Sequence, residues 1–192
     1  MTSPELPILA FDGPDAWAAW LEEEHASSKG IWLKLAKKGS GIPSVTYAEA
    51  LEVALCHGWI DGQKRSHDAS AWLQKFTPRG KRSIWSKVNR EKALALIESG
   101  RMRPAGLEEV ERAQRDGRWE AAYDSQSTAT MPGDLAEVLE QSPKAKAFFA
   151  TLDSANRYAI LFRVQTAKKA ETRVRRIEQL VQMLERGEKI HS

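Results

Sequence analysis

One stretch of the chain, WIDGQKRSHDASAWLQKFTPRGKRSIWSKVN (59–89), gathers the residue types that could do chemistry. Residues 62–92 carry nine Lys/Arg (Lys64, Arg65, Lys75, Arg79, Lys81, Arg82, Lys87, Arg90, Lys92) against two acids, Asp68 and Glu91. The rest of the sequence has 20 basic and 24 acidic residues, so the positive excess sits here. Three of the seven tryptophans, Trp59, Trp72 and Trp85, interleave with these cations. Such a pattern can hold an anion and stack on a flat group. It also describes an ordinary hairpin with aromatic pairs and basic residues on its edge.

Within it, FTPRGKRSIWSKVN points most sharply to a ligand. Pro78 and Gly80 set a turn carrying Arg79, Lys81 and Arg82, and Ser83 or Ser86 can cap a following helix. A helix N-terminus offers unpaired N–H groups, and flanking guanidinium groups grip phosphate or carboxylate. On a helix that starts near 84, Trp85 and Asn89 lie one turn apart, so an indole and an amide would flank one ligand. The competing description is a solvated basic loop beside a core tryptophan. Asp61 shares a strand face with Trp59 and Gln63 if alternation holds, and a carboxylate there is solvated, paired or functional. The candidate binding residues are therefore Asp61, Arg79, Trp85, Ser86 and Asn89.

LCHGWIDG (55–62) brings a thiol, an imidazole and a carboxylate together. Neighbours on a helix point about 100° apart, so Cys56 and His57 do not form a nucleophile–base pair. Cys56 stands at a helix C-terminus, which disfavours thiolate, and is expected to be structural; His57 suits a capping role. The glycine spacing of 77–87 is not that of a P-loop, and HExxH, GxSxG, GxGxxG and paired cysteines are missing. No metal and no cofactor is expected. The second basic cluster, Lys168, Lys169, Arg173, Arg175 and Arg176, reads as the wet face of a helix.

The elements that must position these residues are legible in outline. Pro14 opens a helix over 14–27 with Trp17, Trp20 and Leu21 at helical spacing. Ile31, Leu33 and Leu35 alternate as a strand. Thr46 and Glu49 form a capping box for a helix that Gly58 ends, and strands over 59–64 and 70–77 follow. Helices are expected at about 84–98, 104–116, 134–141, 143–151, 155–167 and 170–186. Val174, Ile177, Val181 and Leu184 keep a heptad spacing suited to packing in a bundle. The fold class is α+β: a small mixed sheet with helices, then a mostly helical C-terminal half. The polar stretch 125–133 is the natural linker between a body over 1–124 and a helical region over 134–192.

Composition sets the outer bounds. With 192 residues, 42% hydrophobic and 29% charged, the chain can bury a substantial core. A net charge of +3 permits phosphate binding but is weak for a non-specific DNA coat. The one cysteine excludes an intrachain disulfide, the N-terminal MTSPELPILAFDG has no basic leader, and no apolar run approaches a membrane span. A cytoplasmic location is expected.

TYAEALEVALCHGWIDGQK (46–64), QKFTPRGKRSIWSKVN (74–89), GRMRPAGLEEVERAQRDGRW (100–119) and AKKAETRVRRI (167–177) together resemble the YdeI/OmpD-associated family, also labelled bacteriocin-protection proteins. The most specific pieces are LCHGWIDG, FTPR and WS-x-x-N. The resemblance extends over nearly the whole chain and implies a part in resistance to bacteriocins or antimicrobial peptides. Some members are described as periplasmic, from which this sequence departs in lacking an export signal. The family brings no catalytic residues to carry over. The leading expectation is a cytoplasmic binding protein for a small anionic or phosphate-bearing ligand, with stress or bacteriocin resistance as an indirect consequence. A hydrolase or group-transfer enzyme would use the same cleft, with Asp61 as base and Arg79 as oxyanion partner. Nucleic-acid binding by the basic, aromatic face is the third reading and is not favoured. The sequence leaves any partner protein unidentified.

Overall fold

The computed structural model describes residues 5–191, so Ser192 and the first four residues of the N-terminal stretch read above for an export signal lie outside it. Among the described residues there are four strands and eight helices, with the later part of the chain mostly helical, the α+β arrangement expected. The chain forms two compact units. One comprises residues up to Ile84 together with Asn89–Glu120, and the other Trp85–Val88 together with Ala121–Ser192.

The first unit is built on a sheet ordered β1-β2-β4-β3, from β1 (Ile8–Ala10), β2 (Ile31–Ala36), β3 (Trp59–Ser66) and β4 (Ala71–Pro78). β1 pairs parallel with β2, as a helical crossover requires, and α1 (Pro14–Glu24) supplies that crossover. The other pairings are antiparallel. α2 (Tyr47–Cys56) starts at the capping box: Thr46 N–H donates to Glu49 Oε2 at 2.9 Å and Glu49 N–H to Thr46 Oγ1 at 3.3 Å. Gly58 ends it with φ +72°, a left-handed turn that a side chain would strain.

Pairing register sorts the strand residues onto two faces. Ile31, Leu33 and Leu35 lie opposite Phe76, Gln74 and Trp72, and Phe76 meets Trp17 of α1 at 5.7 Å between rings. Trp17 stacks on Trp20 at 5.4 Å and meets Trp59 edge-on at 6.2 Å. Two buried indole N–H groups have backbone acceptors, Trp17 on Ala50 O and Trp59 on His25 O, both at 3.1 Å. α4 (Pro104–Arg115), which starts with its proline in the first turn, packs against α2.

The second unit holds α5 (Gly133–Gln141), α6 (Pro143–Thr151), α7 (Ser154–Gln165) and α8 (Ala170–Glu185) around Leu135, Leu139, Ile160, Val164, Ile177, Val181 and Leu184. Of the heptad series, Ile177, Val181 and Leu184 are buried while Val174 is 56% exposed, so the packed stripe starts one turn later than the spacing predicts. Ser142 and Asp153 cap α6 and α7 by accepting from Ala145 and Asn156 N–H. The polar stretch 125–133 opens with a turn, Thr128 and Ala129 N–H both donating to Ser125 O. α3 (Lys87–Glu98) begins within the Trp85–Val88 segment and continues in the first unit.

Candidate functional site

Tyr47, in the first turn of α2, directs its hydroxyl across the sheet to Asp61 Oδ2, to which it donates at 2.8 Å. Its ring lies 6.1 Å from that of Trp72 on β4. Trp59 and Asp61 share the helix-covered face as alternation requires, but Gln63 does not follow. The β3–β4 register shifts between Asp61 and Lys64. The Gln74 side-chain amide holds that irregularity, donating to Gly62 O at 2.8 Å and to Gln63 O at 3.3 Å. The shift reassigns the next two residues. Lys64 reaches the Trp72 face, its Nζ 4.3 Å from the indole centroid, while Arg65 lies over Trp32 on the opposite face at 4.2 Å.

Trp72 therefore stands as a wall between two open concavities. One, of about 460 Å³, takes in Lys37, Lys38, Ser40, Thr46 and Tyr47. The other, of about 400 Å³, takes in Lys37, Lys38, Lys64 and Ser66. The turn that presents the lysines is shaped by Gly39 and Gly41, both at positive φ, and tied down by Ala36 N–H donating to Ser44 Oγ at 3.1 Å. Lys37 Nζ donates to Asp68 O at 2.8 Å. Glu49 already takes the N–H of Thr46 at the α2 start, and these hydrogen bonds hold its carboxyl below the usual range. Positive potential here comes from the lysines.

The five residues singled out in the sequence take up different surroundings. Asp61 belongs to the Tyr47–Trp72 neighbourhood. Arg79 is 5% exposed; its N–H donates to Gly58 O at 2.9 Å and Nη1 to Ile84 O at 3.4 Å. It belongs to a buried guanidinium group in the first unit. Arg112 donates to Arg79 O at 3.4 Å and pairs with Glu109, and Arg118 spans Ser83 O at 2.6 Å and Asp116 at 2.8 Å. Burial pushes the Glu109 carboxyl up, against the pull of Arg112, Arg79 and Arg118. Lys81 and Arg82 stay in solvent.

Trp85 and Ser86 fall in the second unit, and Asn89 in the first. Trp85 is 2% exposed, and its backbone pairs with Tyr123, which donates to Trp85 O at 3.0 Å. Since α3 begins at Lys87, Trp85 stands in the extended segment before the helix, outside the one-turn relation with Asn89 that the spacing predicts.

At the end of α2, burial pushes the Cys56 thiol above its ordinary range. His57 has Val53 O on Nδ1 and Glu22 Oε2 on Nε2, both at 2.9 Å, so the imidazole ties the helix end to α1. Cys56, His57, Arg101 and Arg103 border a cavity of about 410 Å³. Among the described residues no three His, Cys, Asp or Glu side chains gather as a metal site.

Sequence reasoning missed Tyr47, Lys37 and Lys38 as site residues. The available signals were the KK-G-S-G turn and an aromatic residue directly after an N-cap.

The molecule is thus a mixed sheet unit carrying a basic, aromatic surface, followed by a helical unit. The chain belongs to the family described as a domain of unknown function (DUF8412), whose model matches residues 9–109. Residues 128–187 match a second model, that of the family described as Bacteriocin-protection, YdeI or OmpD-Associated, which supports the resemblance read from the sequence. Of the motifs that carried the resemblance, AKKAETRVRRI falls in this second match, whereas LCHGWIDG, FTPR and WS-x-x-N fall in the first. No curated protein and no solved structure matches the chain. Among the described residues no helix is long and apolar enough to cross a membrane.

Proposed function

We propose that the first unit binds a small anionic ligand carrying a flat, conjugated group, at the surface built around Trp72. The observation that carries this reading is the sharing of one indole wall, together with Lys37 and Lys38, by two concavities of ligand size. The flat group stacks on the indole after displacing Lys64, whose ammonium then turns to the anion beside Lys37 and Lys38. Asp61 fixes Tyr47 as the side wall. In this reading the lysines take the role that the sequence suggested for Arg79. Arg112 of α4 and Arg118 just beyond its end instead hold the segment 79–84, through Arg79 O and Ser83 O.

The bacteriocin-protection description of the family matched at 128–187 supports a protective role for this chain. We read that role as following indirectly from ligand binding, in the cytoplasm. A thermal-shift screen of phosphate- and carboxylate-bearing aromatic compounds tests the binding, because a ligand that binds only the folded state raises its stability. A hit whose shift is lost in Lys38→Ala/Lys64→Ala, two exposed positions, supports the site. A hit unaffected by that change, or stabilisation by inorganic phosphate alone with equal strength in Trp72→Ala, overturns it. Recovery of the native protein mainly from the periplasm would contradict the location.

A further inference from the structure

The second unit carries a groove that the proposed ligand site does not use. It lies between α7 and α8, measures about 480 Å³, and is floored by Phe162, Leu180 and Met183 with Arg163 and Arg176 on its rim. The surrounding charge is one-sided: residues 163–176 hold six cations and one acid, Glu171.

Two of those cations have structural duties. Arg173 and Arg176 donate to Val164 O at 2.8 Å and Arg163 O at 2.7 Å, capping the last-turn carbonyls of α7, and Arg173 also pairs with Asp134. Capping does not account for the rest. Arg163, Lys168, Lys169 and Arg175 are exposed and make no ion pair among the described residues. Two arginines on the rim of an apolar floor, with an excess of uncompensated cations in the adjoining sequence, select for one chemistry, an apolar anchor flanked by carboxylates.

We infer that this groove binds an acidic peptide segment of a partner protein, with a Leu- or Phe-like side chain on the Phe162–Leu180–Met183 floor and carboxylates on Arg163 and Arg176. The unbranched Met183 lets the floor adjust to the anchor. Nucleic acid fits less well, because the floor holds one aromatic ring, Phe162, already packed in a T-shaped contact with Tyr123 at 4.9 Å, where stacking of successive bases needs several. This inference concerns only the second unit and does not rest on the Trp72 site.

Fluorescence anisotropy with three fluorescein-labelled peptides tests it on the full chain: a Leu–Glu repeat, a Ser–Glu repeat without anchors and a Leu–Lys repeat of opposite charge. The Leu–Glu peptide binds, more weakly as salt is raised, and the other two bind at least about tenfold more weakly. Arg163→Glu reverses an exposed rim charge, weakens the Leu–Glu peptide by about tenfold or more and leaves the thermal midpoint unchanged. Equal binding of the Leu–Lys peptide, or full affinity in Arg163→Glu, overturns the inference. So does an oligothymidylate that displaces the peptide at lower concentration. A dimer in sedimentation that dissociates when the Leu–Glu peptide is added overturns the partner, since a second copy of the chain would then cover the groove.

Discussion

Gly106 of α4 lies against the last turn of α2, and the closeness of that approach sets what alanine would do there. A Cβ at this position would stand 2.3 Å from Cys56 O, 2.4 Å from Met102 Sδ and 2.6 Å from Leu55 O, where ordinary contact begins at 3.4 Å. The Met102 thioether can swing aside, but the two carbonyls are backbone at a buried helix end. α4 must therefore withdraw by roughly 1 Å from a close-packed seam. Such overpacking costs about 1–3 kcal/mol. The hydrogen bond from Arg103 N–H to Cys56 O, 3.2 Å long, spans the same seam, and its loss adds about 1 kcal/mol. Alanine's helix propensity returns about 1 kcal/mol. Gly106→Ala should thus lower stability by about 1–3 kcal/mol. Urea unfolding followed by tryptophan fluorescence reads this, because six of the seven tryptophans belong to the first unit. Gly80→Ala is the control, since Gly80 lies in the same unit with no heavy atom within 4 Å of an added Cβ, and it should shift stability by no more than about 0.5 kcal/mol. A Gly106→Ala midpoint at or above that of the wild type would refute the reasoning.

Thr46→Ala removes the side-chain half of the capping box of α2, the acceptor for Glu49 N–H, while the backbone N–H at 46 can still donate to Glu49, and should cost about 1 kcal/mol in the same assay; no loss would mean the cap is idle. Asp68 accepts from the Ser70 side chain and from Ser70 and Ala71 N–H in the β3–β4 hairpin, which holds its carboxyl at about 2, below its ordinary 3.8. A folded-state value below the unfolded one adds stability above the ordinary value that is lost as pH falls through about 2. Carboxyl NMR titration should place the Asp68 midpoint near 2, and a midpoint at its ordinary value would contradict the hairpin contacts. Cys56, with a buried thiol raised above its usual range, should react slowly with a thiol reagent in the folded protein and promptly in urea. Rapid labelling without denaturant would sink its structural role.

Much of the frame was legible in the residues because its signals are local. Pro14, the Thr46–Glu49 box, Gly58 and Pro104 act through their own turns, and the structure places helix ends at or near them. β1 went unread: three residues, Ile8–Ala10, are too few to show a period, and only pairing with Trp32–Lys34 makes them a strand. The start of α3 was displaced for a related reason. Ser83 and Ser86 look like caps, but the Trp85 backbone is taken by Tyr123, a long-range pairing that no local pattern announces. The candidate site shows the same division. The basic, aromatic stretch drew attention to the β3–β4 hairpin, yet the faces of Lys64 and Arg65 were set by Gln74, ten and nine residues away, through the register shift. Tyr47 reaches Asp61 only because α2 lies across the sheet. Arg79 illustrates the limit on charge patterns: a Lys/Arg run does not tell which cation is buried under carbonyls and which remains in water.

The indole N–H resonances of the protein test the Trp72 site most directly. Trp72→Phe assigns one of the seven tryptophan signals, and titration with a ligand found in the thermal-shift screen follows it. The account predicts that the Trp72 signal moves furthest, saturating with the same affinity as the thermal stabilisation, and that Lys38→Ala/Lys64→Ala abolishes the movement. A ligand that stabilises the protein while Trp72 stays still and the Trp85 or Trp119 signal shifts instead would contradict it.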